Sequence, residues 1–153
     1  MRSLKDLLNE YGDSHRDHTN EMIHWICVPA IFFSVVGFLY SVKLPFSVLN
    51  IHVNLAFIGL FLLTLYYMRL SGTIWIGMVL FGTACLVGCH LISAAGYTLW
   101  LVCLILFVAA WIGQFYGHSV EGKRPSFLKD LQFLLIGPAW LMSFIYAKLG
   151  VKI

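Results

Sequence analysis

The chain has 153 residues, 60% of them hydrophobic and 11% charged, with a mean hydropathy of +0.85; a soluble domain averages about 45–50% apolar and about 25% charged. Eight of its 17 charges fall in residues 1–24 and seven in 121–153, so the 96 residues of 25–120 carry only Lys43 and Arg69. That distribution excludes a water-soluble enzyme, a disordered chain and a nucleic-acid binder, and indicates a small polytopic membrane protein; the net charge of +3 adds little.

In chain order, residues 4–15 predict a short amphipathic helix (Leu4, Leu7, Leu8, Tyr11) lying near the membrane surface. Asp6, Glu10, Asp13, Asp17 and Glu21 make this region too acidic for a cleavable signal peptide. Arg16-Asp17-His18-Thr19 reads as turn and cap material. Four apolar runs then approach the roughly 20 residues that a spanning helix needs: Trp25–Val42, Ile51–Met68, Thr73–Cys89 and Tyr97–Tyr116. They are separated by Lys43-Leu44-Pro45, Arg69-Leu70-Ser71-Gly72 and Ala94-Ala95-Gly96. A fifth run, Leu131–Ala147, is interrupted by Gly137-Pro138 and reads as a kinked span or as a re-entrant or interfacial helix. The expected fold is therefore an all-α integral membrane bundle of four to five transmembrane helices with an N-terminal amphipathic helix, in one domain over 1–153. Cys27, Cys85, Cys89 and Cys103 sit in apolar runs and read as packing residues. Gly72, Gly77, Gly82 and Gly88 read as small-residue helix contacts, and Trp140 among others as an interfacial or packing aromatic.

If all five segments span, seven of the ten basic residues share a side: Arg2, Lys5, Arg16, Arg69, Lys123, Arg124 and Lys129. The positive-inside rule makes that side cytoplasmic, with the N-terminal tail and the 117–130 loop both on it. His15, His18, His24 and His118 gather there, whereas His52 and His90 fall at the opposite face.

Trp111, Gln114, His118 and Glu121 are spaced 3, 4 and 3 and form one helix stripe. A polar stripe at the end of a span faces the bundle interior or water. Its Gln, His and Glu can bind or orient a metal, since imidazole suits Fe, Zn and Cu; the alternative is a wetted helix end. Asn20 and His24 share a face at i and i+4, and a fold-back at the turn brings His15 toward them. Three histidines within ten residues, facing a fourth, favour a metal site over a set of interface residues. There is no P-loop, G-x-G-x-x-G, G-x-S-x-G or H-E-x-x-H.

The motifs His15-x4-Asn20-x3-His24-x4-Pro29, then Gln114-Phe115-x-Gly117-His118-x2-Glu121-Gly122-Lys123-x-Pro125, then Gly137-Pro138 resemble the family of small membrane 2-hydroxy fatty acid dioxygenases, long catalogued as a domain of unknown function. The resemblance runs over nearly the whole chain in length, span layout and motif order. It departs at His18, where a proline is expected, and in the short His118-Ser-Val-Glu121 spacing. The resemblance implies Fe(II)-dependent cleavage of a 2-hydroxy fatty acid by O2 to the acid one carbon shorter plus CO2, in fatty acid α-oxidation. It implies His15, His24 and His118 as iron ligands, with His18 a further candidate. Glu121, Asn20 and Gln114 would support or substitute for the ligands, and Arg16, Lys123 and Arg124 would attract the substrate carboxylate. A 2-hydroxy acid can chelate iron through its carboxylate and hydroxyl oxygens, leaving a position for O2 beside about three protein ligands. The implied partners are the 2-hydroxy fatty acid, O2 and membrane lipids, with no nucleic acid. The implied location is a bacterial inner membrane or the endoplasmic reticulum, with the metal on the cytoplasmic side. Rival readings are a membrane zinc or di-metal lipid hydrolase, and a non-enzymatic membrane scaffold or lipid carrier.

Overall fold

The computed structural model describes residues 3–13, 15–48, 51–122 and 127–153. Six helices and one hairpin follow in order: α1 (Leu4–Gly12), α2 (His18–Ser41), β1 (Lys43–Val48), β2 (Ile51–Asn54), α3 (Leu55–Leu70), α4 (Ile74–Ala94), α5 (Leu99–Glu121) and α6 (Phe127–Lys148). Three of them, α2, α4 and α5, are long and apolar enough to cross a membrane among the described residues.

Helix α1 starts at a reciprocal cap, in which Ser3 Oγ accepts the Asp6 N–H while the Asp6 carboxylate accepts the Ser3 N–H. Its Leu4, Leu7, Leu8 and Tyr11 are buried, and the helix packs on α6. The stripe is covered by protein.

Helix α2 begins seven residues before the apolar run does. The Asp17 carboxylate accepts the N–H groups of Thr19 (2.8 Å) and Asn20 (3.2 Å), and that cap sets the start. Hydropathy marks where lipid begins; capping marks where the helix begins. The two polar turns between carry Asn20 and His24 into a regular helix.

The segment after α2 departs from the all-helical expectation. Pro45 lacks an N–H and resists helix, while Val48, Ile51 and Val53 favour extended backbone. Strands β1 and β2 pair antiparallel with Lys43 opposite Asn54 and Val48 opposite Ile51. The pairing satisfies backbone groups that would otherwise leave the helices unbonded. The hairpin takes residues 51–54 from the second expected span, and Asn54 caps α3 by accepting the Ala56 N–H (3.1 Å). The remaining 16-residue helix is shorter than a typical span.

Helix α6 runs unbroken through Gly137 and Pro138, where an interruption was expected. A proline costs a helix one hydrogen bond, and the buried Ile136, Ala139, Trp140 and Leu141 hold the segment helical by packing. The bare Gly137 lets α1 and α2 close in: a Cβ there would lie 3.0 Å from Tyr11 Oη and 3.2 Å from Val28 Cγ1.

The most extensive helix pairing is α2 with α5. A Cβ at Gly113 would lie 2.7 Å from Cys27 Sγ, and one at Gly117 would strike Asn20 Oδ1. Gly77, Gly82 and Gly88 face Met142, Leu60 and Phe33, as small-residue contacts do. Gly72 does not: nothing lies within 4 Å of its Cβ position, because it sits in the turn between α3 and α4. All four cysteines are free thiols, three of them buried.

Gly117→Ala is expected to destabilise the protein by about 1–3 kcal/mol, the usual range for overpacking. The added methyl group must displace the fully buried Asn20 or separate α2 from α5. Thermal unfolding in detergent measures this, and an unchanged midpoint would mean that the α2–α5 contact is loose.

Candidate metal centre

The three histidines reach one point from three backbone contexts. His15 lies in the turn between α1 and α2, His24 two turns into α2, and His118 in the last turn of α5. Their ring centroids are separated by 4.1 Å (His15–His24), 4.9 Å (His24–His118) and 5.2 Å (His15–His118). One ring nitrogen from each lies within 4.8 Å of the others. Their exposure is 5%, 0% and 6% respectively, so all three imidazoles are withdrawn from bulk solvent.

The tautomers follow from the partners. His15 Nδ1 lies 2.6 Å from the Tyr11 carbonyl and His24 Nδ1 lies 2.8 Å from the Asn20 carbonyl, each one helical turn back. A carbonyl only accepts, so both Nδ1 atoms carry the proton and both Nε2 atoms present a bare lone pair. Neither Nε2 has a partner at good hydrogen-bond geometry, although the Gln114 side chain approaches His24, and the buried Nδ1 of His118 has none. A buried polar atom left unpaired costs about 1–3 kcal/mol. Several of them converging on one small space is the arrangement that a metal ion resolves. Burial pushes the His15 imidazole down to about 4, against the opposing effect of its bond to the Tyr11 carbonyl, so at neutral pH it needs to lose no proton to bind.

A cavity of about 30 Å³ adjoins the histidines, lined by Tyr11, His15, Trp111, Gln114, His118 and Leu134 among others. Trp111 Nε1 is a buried donor with no acceptor. Tyr11 stacks on His15 at 4.2 Å, and Trp140 packs against both rings, 5.2 Å from Tyr11 and 5.6 Å from His15. These two aromatics wall the site and fix the His15 ring.

Glu121 lies three residues past His118 but turns its carboxylate to the chain's N-terminal turn. Oε1 accepts the Arg16 N–H (3.1 Å), Oε2 accepts the Asp17 N–H (2.8 Å), and Asn20 Nδ2 donates to Oε2 at 3.3 Å. The end of α5 thus grips the turn that carries His15. Gly122, at φ 72°, then ends the helix in a left-handed conformation suited to glycine.

The structure brings together His15, His24, His118 and Gln114, with Asn20 and Glu121 behind them. His18 stands apart: the Asp17 cap makes it the exposed first residue of α2, outside the cluster. The Arg16 guanidinium is exposed and bonded to Asp13 at 2.6 Å. Lys123 and Arg124 lie outside the described residues. His90 is exposed, with Nδ1 3.5 Å from Tyr40 Oη, and His52 is on β2 opposite Ser47. Sequence reasoning took Trp140 for an interfacial or packing residue; its only signal was its place just after Gly137-Pro138. The carbonyl partners of His15 and His24 carry no residue signature at all.

The family described as "2-hydroxy-palmitic acid dioxygenase Mpo1-like" matches residues 1–149. The 2-hydroxy-palmitic acid dioxygenase MPO1 of Saccharomyces cerevisiae is 32% identical over 152 residues, covering 98% of this chain and 83% of the yeast protein. No solved structure gives a significant match. The family match takes in α1, the Glu121 clamp and all three histidines, and on its extent this chain belongs to the Mpo1-like family.

Proposed function

We propose that the protein is an Fe(II)-dependent membrane dioxygenase that cleaves 2-hydroxy fatty acids to the acid one carbon shorter. The reaction balances without a reducing co-substrate: RCHOHCOOH + O2 → RCOOH + CO2 + H2O. The observation that carries this reading is the convergence of unpaired imidazole nitrogens beside a small buried cavity. Imidazoles alone also suit zinc. Zinc has no redox chemistry, however, and the yeast relative is named a dioxygenase. A bound iron supplies the electron transfers that let O2 react with a closed-shell acid.

The chain's own residues divide the remaining work. His15, His24 and His118 hold the metal. Tyr11 and the Asn20 backbone carbonyl keep two of the imidazoles in the ligating tautomer. Glu121 and the Asn20 side chain position the His15 turn. Gln114 and Trp111 Nε1 face the cavity as the polar groups available to the carboxylate and hydroxyl. Arg16, with Lys123 and Arg124, draws the carboxylate toward this face; an exposed Asp13–Arg16 pair is weak enough to exchange partners. On this reading α3 and α6 complete a bundle of four to five membrane segments, and α1 covers its cytoplasmic end.

The test is anaerobic loading with Fe(II), followed by O2 uptake and product analysis with 2-hydroxypalmitate. Equal uptake of O2 and release of CO2, with the fifteen-carbon acid formed, is the expected result. Zinc-loaded protein that hydrolyses a lipid ester without O2 would replace this reading, and protein that binds no metal would favour the scaffold.

Sidedness is tested separately. Cysteines introduced at Lys5 and Ser119 are both expected to react with an impermeant maleimide from the cytoplasmic side. Labelling from opposite sides would rule out the site.

A further inference from the structure

We propose that the alkyl tail of the substrate lies in the apolar groove between α2, α3 and α6, running from the histidine cavity to Gly59. The inference rests on the dioxygenase reading for the identity of the head group, and on the following geometry for the tail. Val28 and Ile31 line the histidine cavity, and Phe32, Val35 and Leu39 line a second cavity of about 140 Å³. These positions recur at three- and four-residue spacing and share one face of α2. Leu134 of α6 lines both spaces, so the two adjoin there, along the same face of α2. Every residue lining the groove is apolar, with Gly59 and Leu63 supplied by α3.

The length fits. Val28 to Leu39 is eleven residues of α2, a rise of about 16 Å. An extended alkyl chain advances about 1.25 Å per carbon at a C–C bond length of about 1.5 Å. The two spaces together therefore span roughly thirteen carbons, head group included, which is most of a sixteen-carbon 2-hydroxy acid. At the far end α2 and α3 close on each other: a Cβ at Gly59 would lie 3.0 Å from Leu39 Cδ1. A phospholipid fits poorly, because the near end narrows to about 30 Å³ among histidines, far too little for a glycerophosphate. The groove thus holds the substrate's own tail.

Two measurements test this. First, kcat/KM is compared for 2-hydroxyoctanoate and 2-hydroxypalmitate in the unmodified protein and in Val35→Trp, where the indole blocks the groove midway. The C16:C8 ratio is expected to fall on the order of tenfold or more, as pocket discrimination by a few methylenes allows. Leu63→Trp, blocking from α3, serves where Val35→Trp does not fold. Second, 2-hydroxypalmitate with a diazirine at its terminal carbon is photolysed with the unmodified iron-loaded protein. The label is expected on the peptide containing Gly59–Leu63 or on Leu39. An unchanged chain-length ratio in a folded variant, or a label confined to α4 and α5, would overturn the tail site. Absence of turnover with every 2-hydroxy acid would instead count against the dioxygenase reading, while the photolabel would still report on the groove.

Discussion

On the proposed iron site, His15→Ala, His24→Ala and His118→Ala are each expected to lose bound iron and abolish O2 uptake, while the protein stays helical and membrane-inserted. Each substitution removes one of three converging nitrogens, and no carboxylate stands in the cluster to replace it. Losing one ligand of three should cost more than the 10–100-fold typical of a supporting partner. His18→Ala and His90→Gln are the contrasting variants. Both side chains are exposed and outside the cluster, so iron content and turnover are expected to stay at the unmodified level. Metal analysis and an oxygen electrode read both quantities on the same preparations. A His15 variant that kept its iron, beside a His18 variant that lost it, would move the ligand to the helix start.

Glu121→Ala is expected to weaken iron binding by about 10–100-fold without eliminating it, with activity recovering in part at high Fe(II). The carboxylate accepts two backbone N–H groups and the Asn20 amide, and none of its three bonds points at the histidines' open nitrogens. Removing it frees the turn that carries His15 and leaves all three imidazoles present. Amide hydrogen exchange at Arg16 and Asp17 should rise in parallel. Glu121→Gln keeps one acceptor but turns a donor toward an N–H, so it should fall between Ala and Glu. If Glu121→Gln lost iron as completely as His118→Ala, the carboxylate would be a ligand and the clamp reading wrong.

Much of this was legible before any coordinates. Apolar runs of near-spanning length announce themselves through the solvent they require, and the charges they expel collect at the ends of the chain. The histidine cluster was legible for a related reason: sidedness put His15, His24 and His118 on one face, and spacing put Asn20 beside His24. The hairpin was not legible, because a hydropathy window over Ile51–Met68 cannot distinguish four extended residues from a first helical turn. The start of α2 was hidden likewise, since it depends on one Asp17 cap within a polar stretch. Trp140 and Tyr11 could not be ranked above the other aromatics, because what distinguishes them is contact with His15 across the fold. The carbonyls that set the tautomers belong to the backbone, which has no letters in the sequence.

The clamp between Arg16 and Glu121 joins residues 105 positions apart. During synthesis His15 and His24 therefore leave the ribosome long before His118, and a nascent chain ending anywhere before α5 has only two of the three clustered histidines. A chain whose α5 ran the other way would likewise separate His118 from His15 and His24. The complete cluster thus exists only in a chain that is both finished and correctly packed, with the Glu121 carboxylate on the turn that carries His15.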